Sequence, residues 1–390
     1  TTGKVRLMQA KKKMHFGFVA AALAAGLVLS GCSSSSEEAA PTEAASAPAA
    51  ADGLATAQAA YDAALAASLT FAYPGDAFDA SAASGKKVAM ISINDQIPVL
   101  KQWTDTIAAG LESQGVTVTQ KSDAGGVIDP LPKFFAQAVT DQVDLIITNA
   151  VPAALIPLTD LGDIPVMTTN QTAAPGVAVA DGIAADPSFD YTLAASLMAD
   201  WFCVTGAGAG NAVVWGSEGQ ASSPIMIQTI KDRVAEVCPD AKVDYQDAPL
   251  ATWFDGTLDG VAKNAVTADP TITHLMPIYD GMTIATGAGL DAAGSAAIQS
   301  SFNMTPAVAA GIGTGSVKMD VGCPNDWFSY ATVDAGLRLL TGNAVPDNYG
   351  ITCKVFDESN IGSIDTSVEN SVNWYGIDFG AEFAKFWTAS

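Results

Sequence analysis

The chain of 390 residues has few of the side chains that most often carry catalysis or bind metals. It contains two histidines and five cysteines, and no two cysteines stand in a Cys-x-x-Cys spacing, so no metal site is expected. The hydrolase motif Gly-x-Ser-x-Gly is absent, and no pair of carboxylates has a spacing that assigns a general acid and a nucleophile. The sequence therefore predicts a protein that is not an enzyme and needs no cofactor.

Basic residues are also scarce, with 18 Lys and Arg against 41 Asp and Glu and a formal net charge of -23. Five of the basic residues and no acidic residue lie in residues 1–31. The rest of the chain thus carries 13 basic against 41 acidic residues, a net charge of -28. Such a surface repels nucleic acid, so nucleic acid is not expected as a partner.

Long apolar runs are limited to residues 16–29, a stretch too short to cross a hydrocarbon core of about 30 Å. This run follows the basic residues 4–13 and ends at Leu29-Ser30-Gly31-Cys32, in the order typical of a lipoprotein signal peptide. We expect residues 1–31 to be removed and Cys32 to carry the lipid that anchors an extracytoplasmic protein to the cell membrane. An ordinary signal peptide with an incidental cysteine is the alternative.

Two segments precede the predicted folded domain. Residues 32–52 are rich in Ser, Ala, Pro and Glu, which predicts a flexible tether. Residues 53–85 are predicted to form an N-terminal arm that packs on the domain. In this arm, apolar residues recur at helical spacing from Gly53 to Leu69, and an extended connector follows from Phe71 to Ser84.

Four cysteines remain beyond Cys32, and an even number in an exported protein indicates two disulfides. Three pairings are possible. We favour Cys203 with Cys238, because both lie in one predicted βα unit, and Cys323 with Cys353, because both lie in the C-terminal part.

From Lys86 onward, short apolar runs alternate with amphipathic stretches. The predicted strands of the first series are Val88–Ile93, Val116–Gln120, Val143–Thr148 and a strand that begins at Ile164, with helices at Leu100–Gln114 and Pro130–Thr140. The second series has strands at Asn211–Trp215, Lys242–Gln246 and Ile272–Ile278, with helices at Leu193–Phe202, Ile225–Val237 and Leu258–Ala268. The one histidine after residue 31, His274, lies in the last of these strands and is expected in the core. This βα alternation predicts an α/β protein of two doubly wound, parallel-sheet lobes, with a ligand in the cleft at the carboxyl ends of the strands.

Several short motifs occur in the same order along the chain. They include Tyr279-Asp280-Gly281-Met282 with Ala293-Gly294, the segment Phe302-Asn303-Met304-Thr305-Pro306, and the late helix Asp334–Gly342. Together, from about Lys86 to Trp387, they resemble the type I periplasmic binding proteins, and in particular the sugar-binding lipoproteins of ABC importers. In that family the second motif usually reads Phe-Asp-Gly-x-Pro.

The resemblance implies that the chain crosses between the lobes three times, near Gly182, Asn303 and Pro346. The N-lobe would then comprise residues 86–182 and 303–345, and the C-lobe residues 183–302 and 346–390. A hinge of three strands permits closure around a ligand. The resemblance also implies a monomer that delivers a small polar ligand, a sugar above all, to an ABC permease in the membrane.

The candidate ligand-binding residues stand after predicted strands or in the hinge. They are Asn94, Asp95, Gln96, Asn149, Asn170, Gln171, Ser217, Glu218, Trp253, Phe254, Asp280 and Asn303. The first candidate is Asp280, because a carboxylate accepts hydrogen bonds from adjacent hydroxyls; a helix N-cap is its alternative. One of Trp253 and Phe254 is expected to stack on a sugar ring, unless it only packs in the core. Residues 94–96 could instead form a solvated turn, and Trp103 is expected in the core.

Other ligands and another role remain open at this point. Sugar binders of this family often carry an Asp-Arg pair where this chain has Asn170 and Gln171, and an amide pair does not reproduce the donors of arginine. Related folds bind amino acids and nucleosides, and an amino acid could use Ser217, Ser222 and Ser223 with Asp280. A sensory receptor, whose closure is detected by a membrane signalling partner, is the alternative to import.

Overall fold

The structure is a computed structural model, and it describes residues 47–172, 177–253 and 256–388. Its helices are α1 (Ala47–Ala66), α2 (Pro98–Ser113), α3 (Leu131–Thr140), α4 (Tyr191–Thr205), α5 (Ser222–Val237), α6 (Leu258–Ala268), α7 (Met282–Ala293), α8 (Pro306–Ala309), α9 (Asn325–Thr341), α10 (Ser371–Tyr375) and α11 (Phe379–Ala384). Its strands are β1 (Lys87–Ser92), β2 (Thr117–Asp123), β3 (Leu145–Asn149), β4 (Val166–Met167), β5 (Asn211–Gly216), β6 (Lys242–Asp247), β7 (His274–Pro277), β8 (Ile298–Phe302), β9 (Val317–Gly322) and β10 (Lys354–Asp357).

The first sheet has the strand order β2-β1-β3-β4, and all of its pairs are parallel. Its central strands β1 and β3 are almost wholly buried, whereas the edge strand β2 alternates between exposed and half-buried residues. Helices α2 and α9 pack against each other and on β3, and α3 packs on β1. This arrangement confirms the first predicted series, since strands buried on both faces read as continuous apolar runs.

The second sheet has the order β10-β9-β8-β7-β5-β6, and only the pair of β10 with β9 is antiparallel. Helix α4 packs on α5, and α6 packs on α7. These two sheets with their helices form the two α/β lobes that the sequence predicts. The antiparallel edge strand β10 was not predicted.

The crossings between the sheets differ in part from the prediction. Ala185 still bridges Met167 of the first sheet, so the first crossing follows it and leads into α4. Strand β9 pairs with β8 in the second sheet, so residues 303–322 do not return to the first lobe as predicted. The chain leaves the second sheet only after Gly322, enters α9 beside the first sheet, and returns to β10 past Pro346. The crossing predicted near Asn303 is therefore displaced to residues 323–324.

The N-terminal arm contacts both lobes. Helix α1 begins at Ala47, within the predicted tether, and packs on α4, α5 and β10 of the second lobe. The connector after it is bound to the first lobe through Tyr73, whose hydroxyl donates to Asp334 Oδ1 at 2.5 Å. The Asp334 carboxylate also accepts from Arg338 Nε at 2.8 Å and from the Tyr349 hydroxyl at 2.8 Å. A buried ion pair with this many donors holds the connector in one position.

Both disulfides have the favoured pairing. Cys203 at the end of α4 is joined to Cys238 at the end of α5, with Cα atoms 5.8 Å apart. Cys323 is joined to Cys353, and these residues follow β9 and precede β10, respectively. The second disulfide therefore connects two of the three crossings.

His274 lies in the core, as the apolar strand predicts. Its ring nitrogens lie 2.9 Å from Thr205 Oγ1 and 2.7 Å from Thr273 Oγ1. Burial lowers the pKa of His274 to about 4, so the imidazole is neutral at pH 7.

The predicted signal peptide, the lipid attachment at Cys32 and most of the predicted tether lie outside the described residues. None of the helices in the described part of the chain has the length and apolar content needed to span a bilayer.

Candidate functional site

A small cavity lies between the lobes, at the carboxyl ends of the parallel strands. It is lined from the first lobe by Ile97, Val99, Leu100, Trp103, Ala150 and Asn170, and from the second lobe by Tyr191, Gln220, Ser222, Trp253, Ile278, Tyr279, Phe302 and Asn303. Its volume is about 70 Å³, well below the roughly 300–1,000 Å³ of typical ligand sites. Ligand entry therefore requires the lobes to separate or side chains to move.

Aromatic side chains supply much of the wall of this cavity. The rings of Trp253 and Tyr279 are stacked, with centroids 5.8 Å apart and an interplanar angle of 16°. The indole nitrogens are already occupied, because Trp103 Nε1 donates to Asn325 Oδ1 at 2.8 Å and Trp253 Nε1 donates to the Ala248 carbonyl at 2.7 Å. The two indoles can therefore offer a ligand only apolar ring surface, the kind of surface that packs on the C–H face of a sugar ring.

Asn170 provides the clearest unused hydrogen-bonding group. This residue follows β4 in the left-handed region, with φ 58°, and its side chain is buried. Its Oδ1 accepts from the Phe189 N–H at 3.4 Å, whereas its Nδ2 has no partner among the described residues. A buried donor without a partner is costly, and an oxygen of a ligand in the cavity would satisfy it.

Asn303 lines the cavity from a turn with unusual backbone angles. Asn303 has φ 119° and the next residue, Met304, has φ 58°. Positive φ is uncommon for residues other than glycine and persists only where the surroundings enforce it, at a cost of about 1–3 kcal/mol each. Met304 stands where the resembled family has its glycine, so the backbone shape is the one that glycine usually adopts.

Asp280, the first sequence candidate, is not among the residues that line the cavity. The residue is fully buried, and its Oδ2 accepts from the Thr305 N–H at 2.5 Å and from Thr305 Oγ1 at 2.6 Å. Burial raises the pKa of Asp280, while Thr305 and the Gly281 N–H lower it by less. The N-cap alternative does not hold either, because α7 begins after Gly281 without a side-chain cap. Direct binding of ligand by Asp280 thus remains a prediction that this geometry does not favour.

Of the other candidates, Trp253, Asn170 and Asn303 line the cavity, whereas the remaining described ones have different contacts. Asn149 is bound within the first lobe, since its Nδ2 donates to the Leu100 carbonyl at 2.9 Å and to Thr104 Oγ1 at 3.0 Å. The N–H of Ser217 donates to Ser223 Oγ at 3.1 Å, and the N–H of the exposed Glu218 donates to Asp247 Oδ1 at 3.1 Å.

The loop candidates of the first lobe form hydrogen bonds within that lobe. Asn94 Oδ1 accepts from the Gln96 N–H at 3.0 Å, and Asp95 Oδ1 accepts from Thr104 Oγ1 at 3.2 Å. Gln171 Nε2 donates to the Thr169 carbonyl at 3.3 Å. None of these residues lines the cavity, and Phe254 lies outside the described residues.

The polar lining residues Tyr191, Gln220 and Tyr279 were not among the sequence candidates, and Ser222 was considered only for an amino-acid ligand. Tyr279 follows the end of β7 and is adjacent to the predicted Asp280, so the strand-end argument located the turn but selected the wrong neighbour. Ser222 begins α5 after the loop that follows β5, so the strand-end argument extends to it for a sugar ligand as well. No local signal marks Tyr191, which comes after a crossing. Trp103 was expected only in the core, yet it also lines the cavity.

The described part of the cavity wall carries no charge. None of the described residues that line it is Asp, Glu, Lys or Arg, although acidic residues predominate in the chain as a whole. The site is therefore suited to a neutral ligand that combines hydroxyl groups with an apolar face.

Comparison with protein-family models and with curated proteins gives no match. Solved structures do match. An ABC sugar transporter subunit from Rhodobacter sphaeroides 2.4.1 superposes with a TM-score of 0.64 at 16% identity, covering 71% of this chain and 99% of that one. The chain has the type I periplasmic-binding-protein fold. This confirms the predicted fold class.

Two further structures of this fold contain ligands. An ABC transporter solute-binding protein from Agrobacterium vitis with bound allitol has a TM-score of 0.64 at 16% identity, covering 72% of this chain and 98% of that one. A solute-binding protein from Bacillus halodurans C-125 with bound myo-inositol has a TM-score of 0.62 at 16% identity, covering 72% and 97%. At these identities the similarity establishes the periplasmic-binding-protein fold alone.

Proposed function

We propose that this protein captures a neutral polyhydroxylated ligand, a sugar or a sugar alcohol, in the cavity between its lobes and delivers it to an ABC permease. The observation that carries the proposal is the uncharged cavity at the strand ends, where aromatic rings are combined with the amide groups of Asn170, Gln220 and Asn303. Amides can donate to and accept from hydroxyls, and rings cover the C–H face of the ligand. No part of this arrangement needs catalysis.

The ligands of the structural neighbours agree with this chemistry. Allitol and myo-inositol are both neutral polyols, one an open chain and the other a ring. A free amino acid fits less well, because its charged groups need a clamp of donors and an acid. Of the serines considered for that clamp, only Ser222 lines the cavity, and the Asp280 carboxylate faces Thr305.

A thermal-shift screen of the full chain tests the ligand class. Neutral sugars and polyols, including allitol and myo-inositol, would be compared with amino acids and nucleosides. A ligand at 100 times its dissociation constant adds about 2.7 kcal/mol to the stability of the folded state. Stabilisation only by amino acids or nucleosides would contradict the proposal.

Import and anchoring need separate tests. Deletion of the gene should abolish uptake of the labelled ligand if the protein supplies a permease, whereas a sensory receptor would leave uptake intact and change a transcriptional response. We further propose that Cys32 carries a lipid that keeps a monomeric receptor at the outer face of the cell membrane. Cys32→Ser should then move the protein from the membrane fraction to the soluble fraction, and unchanged membrane retention would disprove the anchor.

A further inference from the structure

The turn that presents Asn303 to the cavity is held by two buried carboxyl groups. The Met304 N–H donates to Asp320 Oδ1 at 2.9 Å, and the next N–H, of Thr305, donates to Asp280 Oδ2 at 2.5 Å. The two carboxyls therefore bind successive peptide groups. Asp320 belongs to β9, and Asp280 belongs to the loop between β7 and α7. They provide the surroundings that enforce positive φ at Asn303 and Met304.

Both carboxyl groups are fully buried, and each has one unused oxygen. Asp280 Oδ1 and Asp320 Oδ2 have no hydrogen-bond partner among the described residues. In the same part of the chain, no Lys or Arg forms an ion pair with either of them. Two carboxylates that accept from successive peptide groups in the interior, with no counterion, are strongly unfavourable, and carboxyl pairs of this kind retain a proton.

The groups that surround the pair are acidic as well. Glu369, from the segment before α10, and Asp326, at the start of α9, are both partly buried carboxyls with raised pKa values, and the Tyr375 hydroxyl of α10 has no partner among the described residues. The negative charge of Asp280 acts on Asp320, on Glu369 and on Tyr375 and raises the pKa of each, although burial raises it more. No neighbour in this group can compensate for a second negative charge.

We propose that Asp280 and Asp320 share a single proton and act as positioning residues, holding residues 303–305 so that Asn303 lines the ligand cavity. This inference rests on the proposed function, because it concerns the same cavity. Loss of the shared proton to solvent at high pH leaves two carboxylates that repel each other. The turn then loses its support, and the affinity for a neutral ligand falls, although neither carboxyl touches the ligand.

Two substitutions at Asp320 separate this role from simple packing. Asp320→Asn keeps an oxygen that can accept from the Met304 N–H and adds an amide donor that can replace the shared proton. We expect it to bind ligand within about threefold of the wild type, but with no pH dependence between pH 6 and pH 9. Asp320→Ala removes this acceptor. We expect it to bind ligand roughly 10-fold to 100-fold more weakly, the effect of losing a hydrogen bond to a charged or proton-sharing group.

The measurement is titration calorimetry of the full chain with allitol and with myo-inositol at pH 6 and pH 9. The wild type should bind about tenfold more weakly at pH 9. Asp326→Asn is the matched control, because this partly buried carboxyl accepts from Ser371 Oγ at 2.6 Å and not from the N–H groups of Met304 and Thr305; it should keep the pH dependence. The proposal would be overturned if the wild type bound with equal affinity at both pH values. It would also be overturned if Asp320→Asn lost as much affinity as Asp320→Ala.

A ligand-free measurement separates failure of this inference from failure of the proposed function. Carbon-13 NMR of the side-chain carboxyls should show one of the two aspartates still protonated at pH 6, and Asp320→Asn should lower the pKa of Asp280. If both aspartates ionise with ordinary values, the shared proton is refuted even if a polyol binds. If neither polyol binds but the NMR result holds, the shared proton stands and the ligand class is wrong.

Discussion

Glu369 connects the segment before α10 to helix α2 and to the start of α9, and its protonation should make the stability of the protein depend on pH. Its Oε2 accepts from Gln102 Nε2 of α2 at 3.0 Å and from Asn325 Nδ2 at the second crossing at 3.1 Å. Its Oε1 is shielded from solvent and has no partner among the described residues. The pKa of Glu369 is raised from 4.5 to about 7, chiefly by burial and also by the charges of Asp326 and Asp280, while the hydrogen bonds from Gln102 and Asn325 act in the opposite direction.

The sign of the effect follows from the raised pKa. Below pH 4.5 both the folded and the unfolded protein hold the proton, so the stability from this group is fully present. Between pH 4.5 and pH 7 the unfolded chain loses the proton first, and the free energy of unfolding decreases as the pH rises. A difference of about 2.5 in pKa corresponds to about 3 kcal/mol lost above pH 7.

Glu369→Gln should remove this dependence, because the amide is neutral at every pH and its oxygen still accepts from Gln102 and Asn325. Urea unfolding should show the variant to be more stable than the wild type at pH 8, by up to about 3 kcal/mol, and nearly equal to it at pH 4.5. Glu112→Gln, at an exposed position of the same α2 helix, is the control and should change stability by less than about 0.5 kcal/mol at either pH. A Glu369→Gln variant that is less stable than the wild type at pH 8 would refute the reasoning.

Three further results are expected. Asn170→Ala should weaken binding of a polyol about tenfold by calorimetry, since it removes the unused Nδ2 donor, whereas Asn343→Ala, at an exposed site outside the cavity, should have no effect. Replacing both Cys323 and Cys353 by Ser opens a crosslink with a sequence separation of 30 and should lower the free energy of unfolding by about 3–4 kcal/mol in urea; an unchanged midpoint would contradict this. Burial lowers the pKa of His274 to about 4, so the unfolded chain binds a proton at this residue before the folded protein does. The free energy of unfolding should therefore fall by about 3 kcal/mol as the pH is lowered from 6.5 to 4. His274→Gln should abolish that acid-side loss, and an identical pH profile in the variant would show that the histidine is not the cause.

The candidate site was predicted only in part, because strand-end arguments locate a turn but do not say which of its side chains faces the cleft. Asp280 and Tyr279 are adjacent, and the carboxylate that chemistry favours is the one that turns inward to Thr305. Adjacent residues of a turn point in different directions, and this choice depends on the partner offered by another segment. Asp320, which completes the pair with Asp280, had no local signal because its partner lies 40 residues earlier in the chain.

The sequence by itself determined the two series of βα units, the burial of His274 and the favoured pairing of the cysteines. These features depend on short-range periodicity and on elements that are neighbours in the sequence, and both can be identified from a single sequence. Only the tertiary structure decided that β9 joins the second sheet, that the second crossing lies at residues 323–324, and that an uncharged cavity forms within an acidic protein. Those features depend on contacts between residues far apart in sequence, where many pairings satisfy the same local pattern and packing selects one of them.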